Sequence, residues 1–121
     1  MNENSFVLDQ VALDAIRELS PPDGEDLLGK IIGIYIKEST RLACCLAVAV
    51  EEGDYEEIRK CSHSLKSSSA NVGATTVSTL SRDLEVAGSE ENLQSAGDLF
   101  SRLQEELKKA LAALHQITDQ S

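Results

Sequence analysis

The chain has 121 residues, of which 41% are hydrophobic but only 3% aromatic, with no tryptophan; one aliphatic core is expected, with little room for a second domain. That composition favours helices over a sandwich of aromatic and β-branched strands. Eleven basic against 21 acidic residues give a formal net charge of −10, which argues against nonspecific nucleic-acid binding and against adhesion to an anionic membrane.

The polar start Met1-Asn2-Glu3-Asn4 is not a signal peptide, and no apolar run approaches the roughly 18 residues of a membrane span. A cytoplasmic chain is expected. Asp9 can cap a first helix running to about Leu19, with Leu8 and Leu13 placed as a hydrophobic staple. Ser20-Pro21-Pro22-Asp23-Gly24 then breaks it.

From about Glu25 to Glu52, Leu28, Ile31/Ile32, Tyr35, Leu42, Leu46 and Ala49/Val50 recur at three- and four-residue spacing, which predicts a long helix. A second stripe of Leu27, Ile34 and Cys45 widens its apolar face, and the first short helix is placed to cover it. Cys44, Cys45 and Cys61 contain no C-x-x-C pair and read as buried thiols. Gly53-Asp54 supplies a helix stop and the next cap, hence a tight antiparallel turn.

A third helix is predicted from about Tyr55 to Asn71, ending near Gly73. Thr75 or Thr76 starts a fourth that carries Val77, Leu80, Leu84 and Ala87, with Gly88 after it. Ser89 is the expected cap of a fifth, whose Leu93, Ala96, Phe100, Leu103, Leu107, Ala110, Leu114 and Ile117 form a bundle seam. The whole chain therefore reads as a single all-α domain, with its core about residues 8–117. It is expected to be an antiparallel up-down four-helix bundle with an additional short N-terminal helix.

The third helix carries the chemistry. With about 100° per residue and Ile58 at zero, Cys61, Leu65 and Val72 fall at about −60°, −20° and −40°. His63 falls at about 140°, nearly opposite that buried direction, and is expected to be exposed. Arg59, Lys66, Ser67 and Ala70 share its side, and Arg59, Lys60 and Lys66 bring three of the 11 basic residues close to it. An imidazole has an ordinary pKa of about 6.5, so an exposed one offers a neutral nucleophile near pH 7. Adjacent cations can offset charge on a phosphoryl group, and small side chains admit the backbone of a partner. Ser68 and Ser69 turn towards the core, where their hydroxyls can bond the helix backbone or a neighbouring helix. His115, in the last helix, lacks such a neighbourhood and reads as surface. Two histidines on separate helices without accompanying ligand spacing make no metal site. The serines sit in a helix with no nucleophile elbow, which excludes a hydrolase triad.

The run His63-x-Leu65-Lys66-x-Ser68-Ser69-x-x-x-Gly73-Ala74 resembles the signature of the histidine-containing phosphotransfer (HPt) domains of multistep phosphorelays. Gly53-Asp54 and Leu84-Glu85 also match that family's habit. The resemblance implies a phosphocarrier without its own kinase domain. His63 would accept phosphate at Nε2 from the aspartyl phosphate of one receiver domain and pass it to the aspartate of another. Lys66 matches the family lysine that assists the phosphoryl group, whereas Arg59 is assigned electrostatic support from helix phase alone.

Ser67 stands where the family commonly has Gly; being small, it is expected to preserve transfer. The implied partners are receiver domains of response regulators or of a hybrid sensor histidine kinase, with no nucleic acid and no membrane. They would dock on Lys60, Ser64, Ser67 and Ala70 and on the level region Thr40–Ala47 of the second helix. No cofactor is expected on this chain, and Mg²⁺ is expected on the receiver. The competing reading is a helical adaptor that binds a receiver without phosphotransfer; the presence of both His63 and Lys66 argues against it.

Overall fold

The computed structural model describes residues 8–19 and 26–119. Five helices follow one another: α1 (Gln10–Glu18), α2 (Leu27–Glu52), α3 (Tyr55–Asn71), α4 (Thr75–Ser89) and α5 (Leu93–Asp119). The described residues contain no strand. Packing runs α2 on α3, α3 on α4, α4 on α5 and α5 back on α2, while α1 packs on α2. This closed ring of sequential neighbours is the expected up-down bundle with its short N-terminal helix. The Ser20–Gly24 break and the residues Met1–Asn4 lie outside the described residues.

Caps explain most of the boundaries. Oδ1 of Asp9, Asp26 and Asp54 accepts the backbone N–H of Val11, Gly29 and Glu57, at 3.0, 2.8 and 3.2 Å, so each aspartate satisfies a first-turn donor. Glu56 and Glu57 add negative charge at the start of α3, where the helix dipole favours it. Leu8 and Leu13, the two staple positions, are both buried. The Asp9 N–H also donates to the Gly73 carbonyl at 2.6 Å, which pins the start of α1 to the α3–α4 turn.

The last turn departs from expectation. α4 runs through Gly88 to Ser89, and the cap of α5 is Asn92, whose Oδ1 accepts from Ser95 N–H at 3.1 Å. Gly88 is enclosed instead, close against Ile58 and the backbone of Tyr55 on α3. The left-handed residue that ends α4 is Glu91, at φ 55°, with Asn92 N–H reaching the Ala87 carbonyl at 3.0 Å. A non-glycine in that position gives no signal in sequence.

The core draws on all five helices, with Leu13, Ile32, Leu46, Ile58, Leu65, Leu84, Leu103 and Leu114 fully buried. The expected second stripe of α2 is only half realised. Leu27 and Cys45 are partly buried, but Ile34 stays 68% exposed because the nine-residue α1 does not cover it. Of the thiols, Cys61 is buried, Cys45 half-buried and Cys44 exposed. Cys44 therefore corrects the expectation of three buried cysteines: it follows Thr40 on the outer side of α2, and both are exposed.

Tyr35 Oη and Ser69 Oγ, both buried, share a 2.7 Å hydrogen bond between α2 and α3. Burial pushes the Tyr35 phenol up to about 12. Tyr35→Phe should lower stability by about 1–2 kcal/mol in a denaturant melt, since it leaves a buried hydroxyl without its partner. Tyr35→Phe combined with Ser69→Ala should recover part of that loss.

Candidate functional site

Helix phase sets the inner face of α3. Ile58, Cys61, Ser62, Leu65, Ser69 and Val72 are buried, and the opposite stripe of Lys60, His63, Ser64, Ser67 and Ala70 is exposed. The His63 side chain is 61% exposed. Its height along the bundle follows from the Tyr35–Ser69 bond. Six residues back from Ser69 on α3 is His63, and six residues on from Tyr35 on α2 is Arg41. Arg41 is exposed and falls within the expected level region Thr40–Ala47.

A carboxylate on α4 organises the site. Glu85 Oε2 lies 3.0 Å from His63 Nδ1, and its Oε1 accepts from Lys66 Nζ at 2.9 Å. An ionised carboxylate can only accept, so Nδ1 carries the proton and, in the neutral ring, Nε2 keeps a free lone pair. Lys66 first, and His63 after it, hold the Glu85 carboxyl below its ordinary 4.5. Ser78 Oγ donates to the Lys66 carbonyl at 2.9 Å, fastening α4 to α3 beside the same residue.

The other expected groups fall as follows. Arg59 Nη2 is held by Glu56 at 2.5 Å, one turn back along α3, so its guanidinium is engaged there rather than on His63. Ser68 Oγ bonds the Ser64 carbonyl at 2.9 Å, and Ser69 bonds Tyr35; these are the backbone and neighbouring-helix partners expected of them. Gly73, at φ +77°, closes α3, with Ala74 N–H donating to the Ser69 carbonyl at 2.8 Å. His115 is exposed. Two of the three clustered cations are tied to carboxylates, so the patch around His63 is less positive than a count of its basic residues suggests.

Comparison with known proteins bears on this arrangement. A family model described as "Hpt domain" matches residues 30–117. The chain belongs to the Hpt domain family. HPt domains are phosphotransfer carriers in two-component signalling rather than catalysts, and this chain is such a carrier. Among solved structures, histidine-containing phosphotransfer protein B (HptB) from Pseudomonas aeruginosa PAO1 superposes with a TM-score of 0.88 at 23% identity. That match covers 95% of this chain and 96% of the other, and it establishes the HPt fold. No curated protein matches this chain. Among the described residues no helix is long and apolar enough to cross a membrane.

Glu85 falls within the HPt resemblance, but nothing in the sequence assigns it a role, and Ser78 carries no signal there. Glu85 lies 22 positions after His63, too far for a helical i,i+4 pattern to expose. Glu85→Gln removes the carboxylate that pairs with both His63 and Lys66 and should lower stability in a denaturant melt at neutral pH. The same substitution has a pH signature. The folded carboxyl is depressed, so its stabilising contribution is complete above about pH 4.5, the ordinary glutamate value, and is lost as pH falls through the folded value. Acid titrations of the two proteins should therefore converge at low pH.

Proposed function

We propose that His63 is the phosphoryl acceptor of a receiver-to-receiver relay. The observation that carries this reading is the 3.0 Å contact of Nδ1 with Glu85 on an imidazole that is 61% exposed. The Nε2 lone pair attacks the phosphorus of a receiver aspartyl phosphate, a P–N bond forms and the acyl phosphate P–O bond breaks, returning the carboxylate. The ring then carries positive charge, and Glu85 stabilises it through Nδ1–H. Lys66, one turn along, exchanges Glu85 for the phosphoryl oxygens. Arg59 adds positive potential from its place beside Glu56. The reverse attack by a second receiver's aspartate discharges the carrier.

Lys60, Ser64, Ser67 and Ala70 provide the docking face on α3, with the Arg41 level of α2 beside it. Ser67 keeps that face open in the place of glycine. The receiver brings Mg²⁺, which supplies charge neutralisation at the acyl phosphate; this chain contributes no cofactor. Its location is cytoplasmic, where receivers reside.

The test is incubation with a receiver charged by acetyl phosphate. An acid-labile, alkali-stable phosphate should appear on the chain and move to a second receiver. Binding to several competent donors without any label would establish the adaptor reading instead.

A further inference from the structure

Cys45 and Cys61 meet across the α2–α3 interface. From the Tyr35–Ser69 bond, Cys45 lies ten residues along α2 and Cys61 eight residues back along α3. At about 1.5 Å per residue their heights differ by about 3 Å. Seen down the bundle, the two steps turn the side chains by about 80° in opposite senses, which leaves both cysteines on the same side of the α2–α3 interface.

The local contacts agree. Cys61 Sγ donates to Glu57 Oε1 at 3.5 Å, and Cys45 lines one surface hollow together with Glu57, Ala49 and Asp54. Cys45 is among the groups that act on the Cys61 thiol, and Arg41 Nη1 stands 4.0 Å from Cys45 Sγ. Burial raises the Cys61 thiol to about 12, so the half-buried Cys45 is the sulfur that a small oxidant meets first.

We propose that Cys45 and Cys61 form an oxidation site that closes to an intrachain disulfide when hydrogen peroxide is supplied. The Cys45 sulfur attacks one peroxide oxygen and the O–O bond breaks, giving a sulfenic acid and one water. The Cys61 sulfur then attacks the sulfenic sulfur. The S–O bond breaks, and the hydroxyl departs as a second water with the Cys61 proton, for which Glu57 is the acceptor at hand. Two thiols lose two electrons and two protons, and one peroxide becomes two waters. The bond ties α2 to α3 two residues before His63.

Peptide mapping of the full chain after peroxide treatment and alkylation decides the matter. Wild type should lose two hydrogens and yield a linked Cys45–Cys61 peptide that dithiothreitol separates. Cys44→Ser should behave alike, and Cys45→Ser should yield no link. Because Cys61 is buried and its substitution can disturb folding, the wild-type map carries the test. Linkage through Cys44, disulfide-joined dimers, sulfinic acid on Cys45 with Cys61 still reduced, or no loss of thiols would overturn the proposal.

Discussion

His63→Gln should remove all acid-labile phosphate from the chain while leaving its thermal midpoint in place. The glutamine amide can still donate to Glu85 Oε2, so the Lys66–Glu85 pair and the α3–α4 contact keep their partners. It offers no basic nitrogen with a free lone pair, and the other histidine, His115, lies on α5 away from this site. At a side chain 61% exposed, outside the core, the stability change should stay within about 0.5 kcal/mol. A label that persists in the variant would place the acceptor elsewhere. A label lost together with a large fall in the midpoint would make His63 structural rather than chemical. Reading label and melt on the same preparation separates the two.

Sequence periodicity and caps made the bundle legible because most of its helices carry a boundary signal of their own. Asp9 and Asp54, both legible as caps, accept first-turn N–H groups, and Gly53 and Gly73 both adopt the left-handed conformation; Asp26 caps α2 one residue beyond the expected start at Glu25. The α4–α5 boundary was not legible, because its signal is unconventional. Glu91 occupies the left-handed position without being glycine, so Gly88 and Ser89 drew the boundary that belongs to Glu91 and Asn92.

The site divides in the same way. Exposure of His63 follows from the phase of α3 alone. Its proton does not, because that depends on Glu85, whose height against His63 is set by how α3 and α4 pack. Phase likewise put Arg59 and Lys66 on the right side of α3 and left their carboxylate partners unseen. The local excess of positive charge inferred from those residues is reduced once Glu56 and Glu85 are counted.

Gly73→Ala should destabilise the protein far more than Gly53→Ala, although both glycines end a helix at similar angles, φ +77° and +67°. A left-handed alanine costs about 1–2 kcal/mol at either position. At Gly53 the new methyl would find only Leu93 Cδ2 at 3.7 Å, an ordinary contact. At Gly73 it would fall 2.7 Å from the Asp9 carbonyl oxygen and 3.0 Å from the Asp9 nitrogen, which are backbone atoms that cannot rotate away. The Asp9 N–H to Gly73 carbonyl bond of 2.6 Å would have to lengthen, and α1 would have to move with it. Forced repacking of this kind adds about 1–3 kcal/mol. Denaturant melts should therefore show a loss of about 1–2 kcal/mol for Gly53→Ala and about 3 kcal/mol for Gly73→Ala. Amide exchange in α1 should rise only in the second variant. Equal losses in the two would mean that the approach of Asp9 to the α3–α4 turn contributes nothing, and that α1 is held by its packing on α2 alone.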